Sequence, residues 1–217
     1  MVKKMNSQSL SKFSIMRLVK GFLYIPGILI TLLILLKCID YINPDFTSGF
    51  LSDKAEVFHY YKYAFYTHII FATTAIILGY IQVLCPVTKI HRWLGTSYVS
   101  IVIFLAAPSG LFMAFFAIGG SISTINFISL SILWAFSTLK TYNSIKNTNK
   151  QNHKFWAICS FILANSAIFL RVLSFINNQL QIIPGKSGYV VISILSWSVP
   201  LCFYLIIYRL RVKLITN

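Results

Sequence analysis

The feature that most limits how this chain can fold is a series of six apolar runs, at about Phe22–Ile39, Lys62–Leu84, Trp93–Ile118, Ile122–Tyr142, Phe155–Ile176 and Tyr189–Tyr208. The hydrocarbon core of a bilayer is about 30 Å thick, and roughly 20 residues of helix cross it. A helix satisfies all of its own backbone N–H and C=O groups, which nothing else in that medium would do for it. The runs therefore predict an all-α integral membrane bundle of six transmembrane helices. Composition agrees: 57% of the residues are hydrophobic, 11% are charged, and the mean hydropathy is +0.76. That excludes a soluble fold with a polar surface. Apart from an outer loop at 40–61 and a second at 177–188 the connections are short, so residues 1–217 are read as a single six-helix domain.

Lys and Arg accumulate on the cytoplasmic side of a membrane, and here they alternate from connection to connection. Lys3, Lys4, Lys12, Arg17 and Lys20 precede the first run; Lys89 and Arg92 follow the second; Lys146, Lys150 and Lys154 follow the fourth; Arg209, Arg211 and Lys213 follow the sixth. The remaining connections keep Lys54 and Lys186, with Lys37 and Lys62 near helix ends, and all four acidic residues, Asp40, Asp45, Asp53 and Glu56, cluster at the first outer loop. Both termini are thus predicted to be cytoplasmic. The net charge of +15 follows from this topology and from attraction to anionic lipid, and calls for no nucleic acid. The basic, then apolar, N-terminus resembles a secretory signal, but no small-x-small cleavage site precedes the outer loop, so it is read as an uncleaved first helix. Cys38, Cys85, Cys159 and Cys202 are spread over different helices or opposite faces with no CxxC spacing, which indicates neither a disulfide framework nor a thiolate metal site.

Three local features carry structural expectations. The aromatic stretch FHYYKYAFY at Phe58–Tyr66 reads as an anchor at the outer headgroup layer. Pro86 fits a turn, whereas Pro108 and Pro200 fall inside the third and sixth spans and should kink them. Steps of three and four from His68 pass through Ala72, Ala75, Gly79 and Gln82; the same steps from His153 pass through Ala157, Ser160, Ala164, Ala167 and Arg171. Small residues line helix contacts in membranes whatever a protein does. The polar ends are more informative. An ionisable residue away from the headgroups costs roughly 2.5 to 3.5 kcal/mol on insertion scales, so His68 and Arg171 should face the bundle interior, a cavity or each other. Together with Gln82 they make a candidate polar intramembrane site, snorkelling of Arg171 being the alternative.

At the inner face, KIHRWLGTSY from Lys89 and NHKFWAICS from Asn152 both place His, a cation and Trp together where an apolar run begins. His91 and His153 share a depth. Two histidines facing across a bundle can ligate a haem iron axially if small residues leave room and cations meet the propionates. Gly95, Ala157 and Ser160 would supply the room; Lys89, Arg92 and Lys154 would supply the charge. The same groups fit a phosphate or carboxylate site, such as an anionic lipid headgroup, at two helix N-termini. They also fit interface anchors that bind nothing. His59, in the outer loop, is read as exposed.

The spacing of His68, Gly79 and Gln82, then HRWLGTSYV from His91, Trp134, HKFW from His153 and FLRV ending at Val172 resembles the bacterial membrane proteins catalogued as domain of unknown function 2306, over about residues 66–172. Where that family has His-Arg at the second motif, this chain has His153-Lys154, which keeps the charge and loses a bidentate donor. The resemblance implies a multi-pass protein of the bacterial cell membrane and names no reaction. The layout is also similar to transmembrane cytochromes b with two haems, but the fourth span holds no histidine, so one haem at most transfers. Three functions stay open: electron transfer through a single b-type haem, with a quinone or redox protein as partner and, if an enzyme, a membrane oxidoreductase; binding or transport of an anionic lipid or solute at the cytoplasmic face; and a structural membrane subunit.

Overall fold

The computed structural model describes residues 25–33, 36, 39–47, 51, 54–84 and 89–216. Among them every regular element is helical. Residues 25–33 form α1; α2 is Phe58–Leu84; α3, Lys89–Ile101, runs through a π-helical turn at Val102–Ala106 into α4, Ala107–Ala114; α5 is Gly120–Lys146; α6, Lys150–Ala164, and α7, Ser166–Leu180, follow one another with only Asn165 between; α8 is Gly185–Thr216. Among the described residues five helical rods are long and apolar enough to cross a membrane: Phe58–Leu84, Lys89–Ala114, Gly120–Lys146, Lys150–Leu180 and Gly185–Leu214. They are the second to sixth spans expected from sequence. The first is described only as α1, and the basic residues Lys3 to Lys20, Lys37, Cys38, Asp53, Cys85 and Pro86 lie outside the described residues.

Two spans are discontinuous near their middles. Pro108 has no N–H to donate to the carbonyl of Phe104, and its ring crowds that carbonyl, so the chain before it widens by one residue. Ala107 N–H bonds to the carbonyl of Val102, five residues back, in place of the usual four. The Ser109 hydroxyl donates to Leu105 O (2.5 Å) and Ala106 O (3.1 Å), restoring donors to carbonyls next to the defect. In the fifth span, Asn165 turns its amide nitrogen onto Phe161 O (2.7 Å) and ends α6, and its Oδ1 accepts a bond from Tyr80 Oη (2.8 Å). Such breaks are tolerated in a bilayer only where side chains from neighbouring helices satisfy the backbone. Pro200 lies within α8, which continues through it.

The core joins all the spans. Ala75, Ile76 and Tyr80 of α2 meet Tyr98, Val102, Ala106 and Ala107 of the third span, Trp134 of α5, and Leu163, Ala164 and Ile168 of the fifth, with Ile28 and Ile30 of α1 and Trp197 and Leu201 of α8 packed against them. The small-residue stripes lie in these contacts. A Cβ at Gly79 would come within 2.5 Å of the Phe161 ring, and one at Gly27 would run into the Tyr80 hydroxyl. Large apolar side chains such as Phe104, Phe203 and Leu214 face outward, as lipid permits.

At the end of the bundle where α2 begins, the aromatic stretch divides. Tyr60 and Tyr63 are exposed, as anchors would be, whereas Tyr61 and Phe65 are buried with Leu51 beneath Tyr41, Phe46 and Phe116. Tyr66 Oη donates to Tyr41 O (2.7 Å), tying the outer loop down onto α2. The connection between the fifth and sixth spans is shorter than expected, because α7 and α8 leave only residues 181–184 between them.

Candidate functional site in the bundle interior

Among the described residues, a buried polar network joins three spans. Tyr98 Oη and Ser160 Oγ lie 2.8 Å apart, Thr138 Oγ1 and the same Ser160 Oγ 2.7 Å apart, and Trp134 Nε1–H donates to Tyr98 Oη at 3.2 Å. All four side chains are buried. Thr138 also donates to Trp134 O (2.8 Å), so α5 contributes a rigid donor platform between α3 and α6. Those two helices are not packed directly on one another; Tyr98 reaches across the gap.

This contact determines which faces look at each other. Tyr98 follows His91 by seven residues, and Ser160 follows His153 by seven. Seven residues are two helical turns, so each pair shares a face, with the histidines about 10 Å nearer the inner end. The face that carries His91 is thus turned toward the face that carries His153. Both histidines are half-buried in the first turns of their helices. Asn149 caps α6, its Oδ1 accepting from Asn152 N–H at 2.9 Å, which fixes where the helix begins and so where His153 falls in its first turns. His153 Nδ1 lies 2.9 Å from Thr141 O; a carbonyl only accepts, so Nδ1 carries a proton and Nε2 is the nitrogen left free of this bond.

The other residues singled out from sequence are placed as follows. Lys89, Arg92 and Lys154 are exposed at the end of the bundle where α3 and α6 begin. Gly95 faces α2, where a Cβ would lie 3.6 Å from Gln82 Nε2, and that amide nitrogen is buried without a hydrogen-bond partner among the described residues. Ser160 is enclosed by Tyr98 and Thr138, and Ala157, one turn before it on α6, is half-buried. His68 is 38 residues from its partner in sequence: its Nδ1–H donates to Ala106 O in the π turn at 2.8 Å. Its ring lies over Gly110, whose Cβ would come within 2.8 Å of Cε1. Arg171 lies on the exposed face of α7 with Nη1 turned back onto Ala167 O (3.2 Å), near enough to His68 and Tyr189 to act on both electrostatically. Gln82 stands apart from these two, fourteen residues along α2 from His68. Gln82 belongs to the inner gap and His68 to the π turn. His59 is exposed and stacks edge-on against Tyr60.

Helical spacing alone did not expose the Tyr98, Trp134, Thr138 and Ser160 network or the Tyr80–Asn165 bond. The signal available was the position of hydroxyl and indole groups in the middle of apolar runs, where each needs a partner.

A family model for the proteins described as Predicted membrane protein (DUF2306) matches residues 65–207, well over half of the chain. The chain belongs to the DUF2306 family. The match extends past Val172, where the sequence motifs end, through most of the last span, so a DUF2306 protein includes α8 as part of its bundle. No curated protein and no solved structure matches the chain.

Thr141 O holds Nδ1 of His153 and so fixes the direction in which Nε2 points, as a second partner does for a ligating imidazole. His91 is half-buried in the first turn of α3, the Gln82 amide nitrogen is buried beside Gly95 without a hydrogen-bond partner among the described residues, and Lys89, Arg92 and Lys154 are exposed at the same end of the bundle. Among the described residues no cluster of three or more His, Cys, Asp or Glu is suited to a bare metal ion.

Proposed function

We propose that this multi-pass membrane protein lies in the cell membrane of a bacterium with both termini on the cytoplasmic side, and carries electrons through a single b-type haem held between its third and fifth spans. The observation that carries this reading is the Tyr98–Ser160 contact, because it turns the His91 and His153 faces toward one another across a gap that α3 and α6 do not close themselves. His91 and His153 would hold the iron. Arg92 and Lys154 would meet the propionates, and Gly95 supplies room beside them. A bound haem supplies a one-electron carrier. The chain's own groups set its surroundings: Thr141 O keeps the Nδ1 proton on His153, Gln82 offers a donor inside the gap, and the Tyr98 network closes the gap above. A quinone or a redox protein would be the partner in such a role. An optical spectrum of the purified protein from haem-sufficient cells tests the reading. An intense Soret band that moves on reduction is expected; a colourless folded protein overturns it.

A second reading has its own support. Lys89, Arg92 and Lys154 are exposed at one end of the bundle, and the acidic residues Asp45 and Glu56 are near the other. That arrangement suits an anionic lipid or solute at the cytoplasmic face. It is favoured if the colourless protein, in detergent micelles, binds anionic lipid in preference to neutral lipid and loses that preference when Arg92 and Lys154 become Gln.

A further inference from the structure

We infer that His68 is a latch that fixes the register of the third span, and through it the positions of Tyr98 and His91 at the inner end. The inference does not depend on what the inner gap binds. A π turn has a choice that an α-helix lacks. If Ala107 N–H moved from Val102 O to Ile103 O, the extra residue would be absorbed and α3 would turn by about 100° relative to α4 and shift about 1.5 Å along its axis. Pro108 destabilises the α register by removing one donor, but it does not select a particular alternative. The selection comes from outside the helix. Ala106 O, at the end of the π turn, receives His68 Nδ1–H at 2.8 Å. The imidazole is seated on Gly110, where any side chain would push it away. Ser109 Oγ adds a bond to the same carbonyl from within the span. A neighbouring helix thereby holds the carbonyl of the peptide unit whose N–H, on Ala107, makes the π-turn bond to Val102 O.

The consequence is long-range. Tyr98 lies four residues before the π turn and hydrogen-bonds Ser160 and Trp134, and His91 lies two turns further on the same face. A turn of about 100° would take both away from α6. His68, in the outer half of the bundle, thus controls whether the inner gap has two facing walls, and any group that binds or titrates His68 would be read at the inner end.

Pulsed-EPR distance measurement tests this in lipid nanodiscs, with spin labels at Thr96 on α3 and Leu139 on α5, both exposed, and the four native cysteines replaced by serine. His68→Phe keeps a ring over Gly110 and loses the donor; the distance should move by several ångströms or split into two populations. His68→Asn keeps a donor N–H the same number of bonds from the backbone as Nδ1, and should preserve the wild-type distance. If His68→Phe is not recovered folded, Gly110→Ala asks the same question by displacing the imidazole. An unchanged distance in His68→Phe, or in Gly110→Ala where that variant stands in, overturns the proposal. So does a His68→Asn shift as large as that of His68→Phe.

Discussion

Tyr98 Oη touches Ser160 Oγ at 2.8 Å, and these two residues stand seven places after His91 and His153 respectively. One buried hydroxyl therefore aligns two helices that do not pack directly, and the alignment decides what the inner end can hold. Tyr98→Phe removes the acceptor of the Trp134 indole N–H and one partner of Ser160, leaving a buried donor unpaired. The expected loss of stability is about 1 to 3 kcal/mol. Reversible unfolding of the variant in mixed micelles checks it. Tyr98→Phe with wild-type stability would mean that the network is not formed.

Close packing gives a second test. Gly79 lets α2 approach Phe161 so nearly that a Cβ would sit 2.5 Å from the ring, and that ring is itself held edge-on to Tyr80 with centroids 5.0 Å apart. Gly79→Ala should therefore be destabilising by about 1 to 3 kcal/mol, despite the better helix propensity of alanine. Gly120→Ala is a poor control because of its positive φ. Ser129 serves better, since its hydroxyl bonds only to Ile125 O of its own helix, and Ser129→Ala should change stability little.

Topology has a direct readout. Reporters placed at Asn149 and at the C-terminal end should read as cytoplasmic, and one at Lys186 as external, because the Lys and Arg residues alternate in that order. A cytoplasmic reading at Lys186 would invert the bundle and move the inner gap to the opposite face.

The number and order of the later spans were legible in the sequence because hydrophobic length is a local property: the apolar runs from Lys62, Trp93, Ile122, Phe155 and Tyr189 each became a helical rod. The two small-residue stripes were legible as well, and they became packing surfaces at Ala75, Gly79 and Ala164. What the sequence did not disclose was tertiary. Pro108 announces a kink but not a π turn, since the choice depends on His68 arriving from another helix to bind Ala106 O. Asn165 looks like one polar residue in an apolar run until Tyr80 reaches it. Arg171 was expected inside the bundle or near His68, with snorkelling as the alternative; its side chain is at an exposed position and bonds to Ala167 O of its own helix, a contact the spacing did not indicate. Ser160 was expected to leave space, and its hydroxyl instead finds two partners.

The central claim is that His91 and His153 face one another as an axial pair, and haem content with spin state, measured at matched folded yield across five variants, tests it most directly. His91→Ala and His153→Ala should each lose most of the bound haem or turn a low-spin spectrum high-spin, since one imidazole holds the iron less firmly and leaves a coordination position open. His59→Ala, on the exposed outer side, should match the wild type. Arg92→Gln and Lys154→Gln should weaken haem retention or shift its potential while both axial ligands remain. Wild-type spectra in both histidine variants would contradict the account.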